Sequence, residues 1–119
     1  MIAGMAPQLQ PGTFVFCTGA PPVHPSAIAT VREAEGLSQV LPLEAAQALG
    51  LDTSLPMAQI TLTVLSALDG VGLTAAVAAA LADADIPCNM VAGYHHDHLF
   101  VPEALADAAL AALRATAAL

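Results

Sequence analysis

Hydrophobic and polar positions alternate along residues 60–66, ITLTVLS, in the second half of the chain. Ile60 and Leu62 are separated by Thr61, and the segment is rich in β-branched residues. A period of two with this composition is typical of a strand that has one buried face. The pattern therefore predicts a half-buried strand, and the glycine-containing LDGVG that follows it predicts a turn.

Downstream of that turn the apolar period changes to that of a helix. Leu73, Val77, Ala80 and Leu81 recur at helical spacing among alanines, which favour helix formation, and Pro87 ends the pattern. The segments IPCNMVAG and HLFVP then predict two more strands. A second helix is predicted after them, because apolar residues again follow helical spacing in EALADAALAALRATAAL.

The order of these elements is β-α-β-β-α. One additional strand would complete β-α-β-β-α-β, the ferredoxin-like unit in which an antiparallel sheet carries two helices on one face. The sequence thus predicts an α+β fold of the ferredoxin-like type. The missing strand must come from elsewhere in the chain.

The first half of the chain contains a weak copy of the second half. An offset of 60 residues places TVREAEGLSQVLPLEAAQAL on MVAGYHHDHLFVPEALADAA and pairs Val31 with Val91 and Pro42 with Pro102. TFVFCT resembles ITLTVL in pattern, but the Pro-rich GAPPVHPSA follows it where the second half has a helix. We therefore predict two tandem units. The first, residues 1–56, lacks its first helix, and the second comprises residues 57–119.

Composition and charge restrict the classes of partner. Two Lys/Arg against ten Asp/Glu give a formal net charge of −8, which repels nucleic acids and anionic lipid surfaces. No apolar window approaches the length of a membrane span, and the stretch MIAGMAPQLQPG has neither the basic region nor the continuous apolar region of a signal peptide. We expect a cytoplasmic protein that binds neither nucleic acid nor membranes.

The sequence contains no recognisable catalytic motif. It lacks the GxSxG nucleophile elbow and the GxxxxGK phosphate loop, and Cys17 and Cys88 do not have CxxC spacing. Two isolated thiols are more typical of buried cysteines in a reducing compartment than of a disulfide framework. The expectation is a protein that is not an enzyme and uses no cofactor.

The run LDGVGLTAAVAAALADADIPCNMVAG resembles an ACT domain in the Asp, the Gly that opens the helix, the apolar helix positions, and the Ile and Asn that enter the second strand. The resemblance covers residues 58–119 well and residues 9–50 loosely, and the whole chain looks like small bacterial proteins with two tandem ACT-like units. One departure is Val71, where ACT loops often carry Pro. The resemblance implies a regulatory module that binds amino acids and commonly dimerises, here as a homodimer.

The strand-to-helix loop is the predicted ligand-binding segment. Unpaired N–H groups and the positive end of the helix dipole favour an α-carboxylate there, and glycine permits close approach. Asp69 and Asn89 could then accept hydrogen bonds from the ligand's ammonium group, although each could equally have only a structural role. The loop residues are Asp69, Gly70, Val71, Gly72, Leu73 and Thr74.

Three histidines and an aspartate occupy residues 95–98. If this run is extended, His95 and Asp97 share one face of the strand, and His96 and His98 share the other. All four then cannot bind one metal ion, so we predict a polar hairpin in which Asp97 orients an imidazole or accepts backbone N–H bonds. His96 and His98 are also candidate ligand-facing residues.

The function favoured by these patterns is that of a non-enzymatic sensor for a small amino-acid-like ligand, whose output passes to a separate regulated protein. Two alternatives remain. A metal-binding protein or metal-dependent enzyme would use the cluster His95–His98, and a purely structural interaction module would use the apolar surface.

Overall fold

The computed structural model describes residues 6–19, 22–63 and 72–118. Contacts divide the chain into two units: Gly12–Met57, called here the N-terminal unit, and the segment up to Pro11 together with the chain from Ala58, called the C-terminal unit. The strands are β1 (Pro7–Leu9), β2 (Phe14–Thr18), β3 (Ala29–Glu33), β4 (Gly36–Pro42), β5 (Met57–Leu62), β6 (Asn89–Ala92) and β7 (Asp97–Pro102). The helices are α1 (Leu43–Ala48), α2 (Gly72–Asp83) and α3 (Ala106–Ala118), with a short 3-10 turn at Glu103–Leu105.

The strands of the C-terminal unit lie in the order β1-β5-β7-β6. Strand β1 is antiparallel to β5, with Pro7 opposite Leu62, and β6 is antiparallel to β7. The Gln10 N–H donates to the Gln59 carbonyl at 2.8 Å, which extends the contact beyond the strand itself. The beginning of the chain thus adds a strand beside β5.

The core of the C-terminal unit joins α2 and α3 to one face of its sheet. These helices follow the predicted spacing, because Val77 and Leu81 on α2 and Leu113 on α3 are fully buried. Each such side chain stabilises the fold by roughly 1.5–3 kcal/mol when it is fully buried. The sheet contributes Ala58, Ile60, Leu62, Leu99 and Val101 to the same cluster.

The opposite face of this sheet is less exposed than the sequence predicts. The alternation predicts that β5 is buried on one face only, but Thr61, on its other face, is only 7% exposed. The prediction is wrong at Thr61 because the side chain of His98, on the neighbouring strand β7, lies against it. Alternation in the sequence assigns residues to two faces and does not show which of the faces is covered.

The N-terminal unit has three antiparallel strands in the order β3-β4-β2. Its core consists of Val15, Cys17, Leu41 and Ala46, and the last of these lies on α1. Strands β3 and β4 followed by α1 reproduce the β6, β7 and α3 of the later unit, as the 60-residue offset predicts. The hairpin of β3 and β4 carries a hydrogen bond from the Ser38 hydroxyl to the Glu33 carboxylate, while Glu35 is an exposed turn residue.

A Pro-rich segment stands where the first helix of this unit would be, and residues 22–28 contain no helix. Gln39 fixes the segment: its side-chain oxygen accepts a hydrogen bond from the His24 N–H at 2.8 Å, and its amide nitrogen donates to the Pro22 carbonyl at 3.2 Å. Gln39 is only 2% exposed. Its amide therefore satisfies backbone groups that would be bonded within a helix in a complete unit.

The division of the chain differs in one respect from the predicted units of residues 1–56 and 57–119. The described part of the N-terminal segment belongs to the later unit, because β1 pairs with β5 and contacts α3.

Cys17 and Cys88 are free thiols. No helix in the described parts of the chain is long and apolar enough to cross a membrane.

Candidate functional site

Helix α2 begins inside the predicted ligand-binding segment. Gly72 and Thr74 are exposed in its first turn, and Leu73 packs against the core. The other predicted loop residues, Asp69, Gly70 and Val71, lie outside the described residues. The described half of the segment therefore places a helix N-terminus, whose first N–H groups have no partner within the helix, at the surface of the C-terminal unit.

A groove of about 360 Å³ runs along α2 from this first turn. Ala78 and Ala82 follow Thr74 at intervals of four residues, so they lie on one side of the helix, and their small side chains leave space beside it. The groove is lined by Thr74, Ala78, Ala82, Ile86, Cys88 and Met90. Thr74 contributes a hydroxyl at the end where α2 begins, and the rest of this lining is apolar apart from the weakly polar Cys88 thiol, whose pKa is raised by burial.

Asn89 does not face this groove. Cys88 and Met90 line it and pack against the core, whereas Asn89 between them is exposed. Successive side chains of a strand point to opposite faces of the sheet. The side chain of Asn89 therefore lies on the face turned away from α2.

The histidine run forms a turn and the start of a strand. Residues 93–96 connect β6 to β7, and the Gly93 N–H donates to the His96 carbonyl at 2.9 Å. Tyr94 is 79% exposed, and its ring packs edge-on against the ring of His95 with 5.0 Å between the ring centroids. The assignment of His95 and His96 to opposite faces of a strand required residues 95–98 to be extended. That condition is not met for these two residues, because the first residue of the strand is Asp97.

His98 has polar partners on strand β5. Its Nδ1 atom lies 2.9 Å from the Thr61 hydroxyl and 3.3 Å from the Gln59 side-chain nitrogen. Burial lowers the pKa of His98, the charge of His96 lowers it further, and Asp97 partly opposes these effects. The imidazole is therefore neutral near pH 7. The side chain of His98 lies on the sheet face opposite the groove, so the structure separates it from Thr74.

Asp97 points the other way. Leu99 and Val101, which alternate with it along β7, pack in the core beneath the helices, so Asp97 shares the helix-covered face. It is 5% exposed, and its Oδ2 atom has no hydrogen-bond partner among the described residues. The prediction that Asp97 orients an imidazole or accepts backbone N–H bonds does not place this residue beneath the helices, although its alternation with Leu99 and Val101 was a signal for that position.

The candidate metal ligands do not converge. Within the described residues, no three His, Cys, Asp or Glu side chains form a group that could hold a metal ion. His95 lies in the turn, whereas Asp97 and His98 occupy opposite faces of β7. The described geometry thus gives no support to the metal-site alternative.

Models of the ACT domain match the sequence twice, at residues 1–58 and at residues 54–115. The chain belongs to the ACT domain family. Its two units are tandem ACT units built around antiparallel sheet, and ACT domains are regulatory, amino-acid-binding modules rather than catalytic ones. Among curated proteins, none matches the sequence.

Solved structures resemble the ACT chain over nearly its whole length. A Vibrio cholerae protein of unknown function, described as a possible transport protein, is 48% identical, and the match covers 93% of this chain and 88% of that one with a TM-score of 0.86. The regulatory subunit of aspartate kinase from Thermus flavus matches with a TM-score of 0.68 and 12% identity, covering 97% of this chain and 99% of that subunit. The ligand-free subunit from Thermus thermophilus matches with a TM-score of 0.63 and 13% identity over 97% and 98% of the two chains. At these low identities the likeness to the kinase subunits concerns the fold alone.

Proposed function

We propose that this ACT-family chain is a non-enzymatic sensor that binds a small amino-acid-like zwitterion at the start of α2. The observation that carries the proposal is the groove of about 360 Å³ that extends from Thr74, a residue of the predicted binding segment, along α2. A cavity of this size, with one polar end and an apolar wall, is of the type that holds small ligands.

The ligand's carboxylate would lie at the first turn of α2. N–H groups there have no partners within the helix, and the helix dipole favours negative charge. Asp69, Gly70, Val71, Gly72, Leu73 and Thr74 form the proposed binding loop. Asn89, His96 and His98 stay predictions as ligand contacts, and the orientations of Asn89 and His98 give them no place in this groove.

The proposal extends to assembly and output. The chain would form ferredoxin-like units in which β1 completes the C-terminal sheet, and it would act as a cytoplasmic homodimer on a separate regulated protein. Exposed sheet edges need cover, which favours association. The fold likeness to regulatory subunits of aspartate kinase supports a regulatory chain that acts on another polypeptide.

The test is a thermal-shift screen of the standard amino acids, followed by calorimetry for any amino acid that raises the melting temperature. A ligand at a hundred times its dissociation constant adds about 2.7 kcal/mol, which is a shift of several degrees. Ala78→Leu keeps a good helix former and places a larger side chain in the groove, so it should abolish the shift. Ala111→Leu on the exposed side of α3 is the matched control and should retain it.

Two results would contradict the proposal. The first is the absence of any shift with the wild-type protein, which would favour a structural interaction module. The second is an equal shift in the wild-type protein and in Ala78→Leu, which would place the ligand outside the groove.

A further inference from the structure

The buried carboxyl group of Asp97 is unusual among the described polar groups of the C-terminal unit. Its Oδ2 atom is enclosed and has no hydrogen-bond partner among the described residues, and the residue is only 5% exposed. A buried acceptor without a donor lowers stability, and a charged one does so more strongly. A fold retains such a group most readily where a donor from outside the chain completes it.

Asp97 lies in line with the groove on the helix-covered face of the sheet. Met90, which lines the groove, is paired with Leu99, and the next pair along the same face is Ala92 with Asp97. The sheet face that lines the groove at Met90 therefore continues by one residue pair to Asp97.

The same end of the groove contains the start of α2. The connection between α2 and β6 is short, so Ala82 near the end of α2 lies beside Cys88, just before β6 begins. Helix α2 and strand β6 therefore run in opposite directions, and Thr74 at the start of α2 lies at the groove end where β6 finishes. Ala92 and Asp97 occupy that end of the β6–β7 hairpin. A helix N-terminus that favours anions thus lies at the same end of the apolar groove as an enclosed carboxylate oxygen, Asp97 Oδ2, that has no donor among the described residues.

We propose that Asp97 accepts a hydrogen bond from the ammonium group of a bound α-amino acid with an aliphatic side chain. The carboxylate of this ligand lies at the first turn of α2, and the side chain of the ligand lies in the groove. This inference rests on the proposed sensor function and names the ligand class and the anchoring residue. The amine supplies the donor that Oδ2 does not find among the described residues, and a charge-assisted hydrogen bond in an enclosed position is strong.

The walls of the groove determine the side-chain class. Ala78, Ala82, Ile86 and Met90 offer no charge and no strong hydrogen-bonding group. The side chain of lysine or glutamate would have to lose water there without gaining a partner, which is unfavourable. Valine, leucine and isoleucine would instead gain from the burial of apolar surface.

The experiment is calorimetric titration of the full chain with L-valine, L-leucine, L-isoleucine, L-lysine and L-glutamate, and with the des-amino analogues 3-methylbutanoate and 4-methylpentanoate. Asp97→Asn should weaken amino-acid binding by about 10- to 100-fold, the loss expected for one hydrogen bond to a charged group. The des-amino analogues should bind Asp97→Asn and the wild-type protein equally, because they lack the group that Asp97 contacts.

Asp85→Asn is the matched control for the change of charge. Asp85 is exposed and has φ of 61°, a conformation that asparagine also tolerates, so this variant should bind like the wild-type protein. Urea unfolding of each variant shows whether it is folded, and Asp97→Ser provides a second replacement of the carboxyl group that should weaken binding in the same way.

The outcomes separate the two proposals. Wild-type affinity for the amino acid in a folded Asp97→Asn or Asp97→Ser would overturn the role of Asp97 and leave the sensor function standing. Binding of lysine or glutamate in preference to the aliphatic amino acids would overturn the ligand class alone. No binding of any amino acid to the wild-type protein would overturn the sensor function and this inference together.

Discussion

Gln39→Ala should destabilise the N-terminal unit, because this side chain fixes the segment that stands in place of a helix. The substitution removes the bonds to the His24 N–H at 2.8 Å and to the Pro22 carbonyl at 3.2 Å. Each contributes about 0.5–1.5 kcal/mol net, and the buried methylene that is also lost contributes about 0.8 kcal/mol. Pro22 is exposed, so water can replace one bond, and the expected loss of unfolding free energy is about 2 kcal/mol.

Urea unfolding followed by far-ultraviolet circular dichroism is the suitable assay. The chain has no tryptophan, and Tyr94 is 79% exposed, so fluorescence reports little on the core. With the usual urea dependence of small proteins, a loss of about 2 kcal/mol lowers the unfolding midpoint by roughly 1 M. Hydrogen exchange of the His24 amide should also become faster, because that amide loses its acceptor.

Gln47→Ala provides the control for this experiment. Gln47 is exposed on α1, and alanine is the better helix former, so its unfolding midpoint should stay unchanged or rise slightly. Equal midpoints for Gln39→Ala and Gln47→Ala, together with unchanged exchange at His24, would refute the structural role assigned to Gln39.

Two further predictions concern the β6–β7 hairpin. The pKa of His98 is lowered in the folded state, so the unfolded chain binds the proton more tightly, and stability is lost as the pH falls below the ordinary histidine value of about 6.5. His98→Gln should therefore reduce the difference between the urea midpoints measured at about pH 7.5 and at about pH 5.5. His95→Gln, in the exposed turn, is the control and should keep the wild-type difference. The same difference in His98→Gln as in the wild-type protein would contradict the linkage. In Gly93→Ala the new Cβ would lie 2.9 Å from the His96 carbonyl oxygen and 3.3 Å from His98 Nε2, so we expect a loss of about 1–3 kcal/mol in the same urea assay, and an unchanged midpoint would show that the turn adapts.

Local periodicity was sufficient for most elements of the C-terminal unit. The two predicted helices correspond to α2 and α3, and residues 60–62 of ITLTVLS lie in β5, because in each the apolar spacing matches the buried face. Strand β1 could not be predicted in this way. Its three residues, Pro7–Leu9, have no periodic pattern, and only their pairing with Leu62 and its neighbours makes them a strand.

The candidate site was predictable only where it depends on local chemistry. The glycine-bearing start of α2 and its small residues are visible in the sequence, and so is the polar run at residues 95–98. The face of Asp97 follows from its alternation with Leu99 and Val101, whereas the turn at His95 and His96 could not be predicted, because the run itself does not show where the strand begins. The enclosure of Asp97 depends on tertiary packing, which no spacing within the run contains.

Strand β1 has a consequence for how the chain is made. It is synthesised before every other described element, yet its partner Ile60 emerges some fifty residues later, so the C-terminal sheet cannot be completed co-translationally until most of the N-terminal unit has left the ribosome. An expression clone that starts at residue 57 would therefore yield a polypeptide with β5 unpaired along one side. Such an open edge invites pairing with other chains, and aggregation of that fragment would be its expected behaviour.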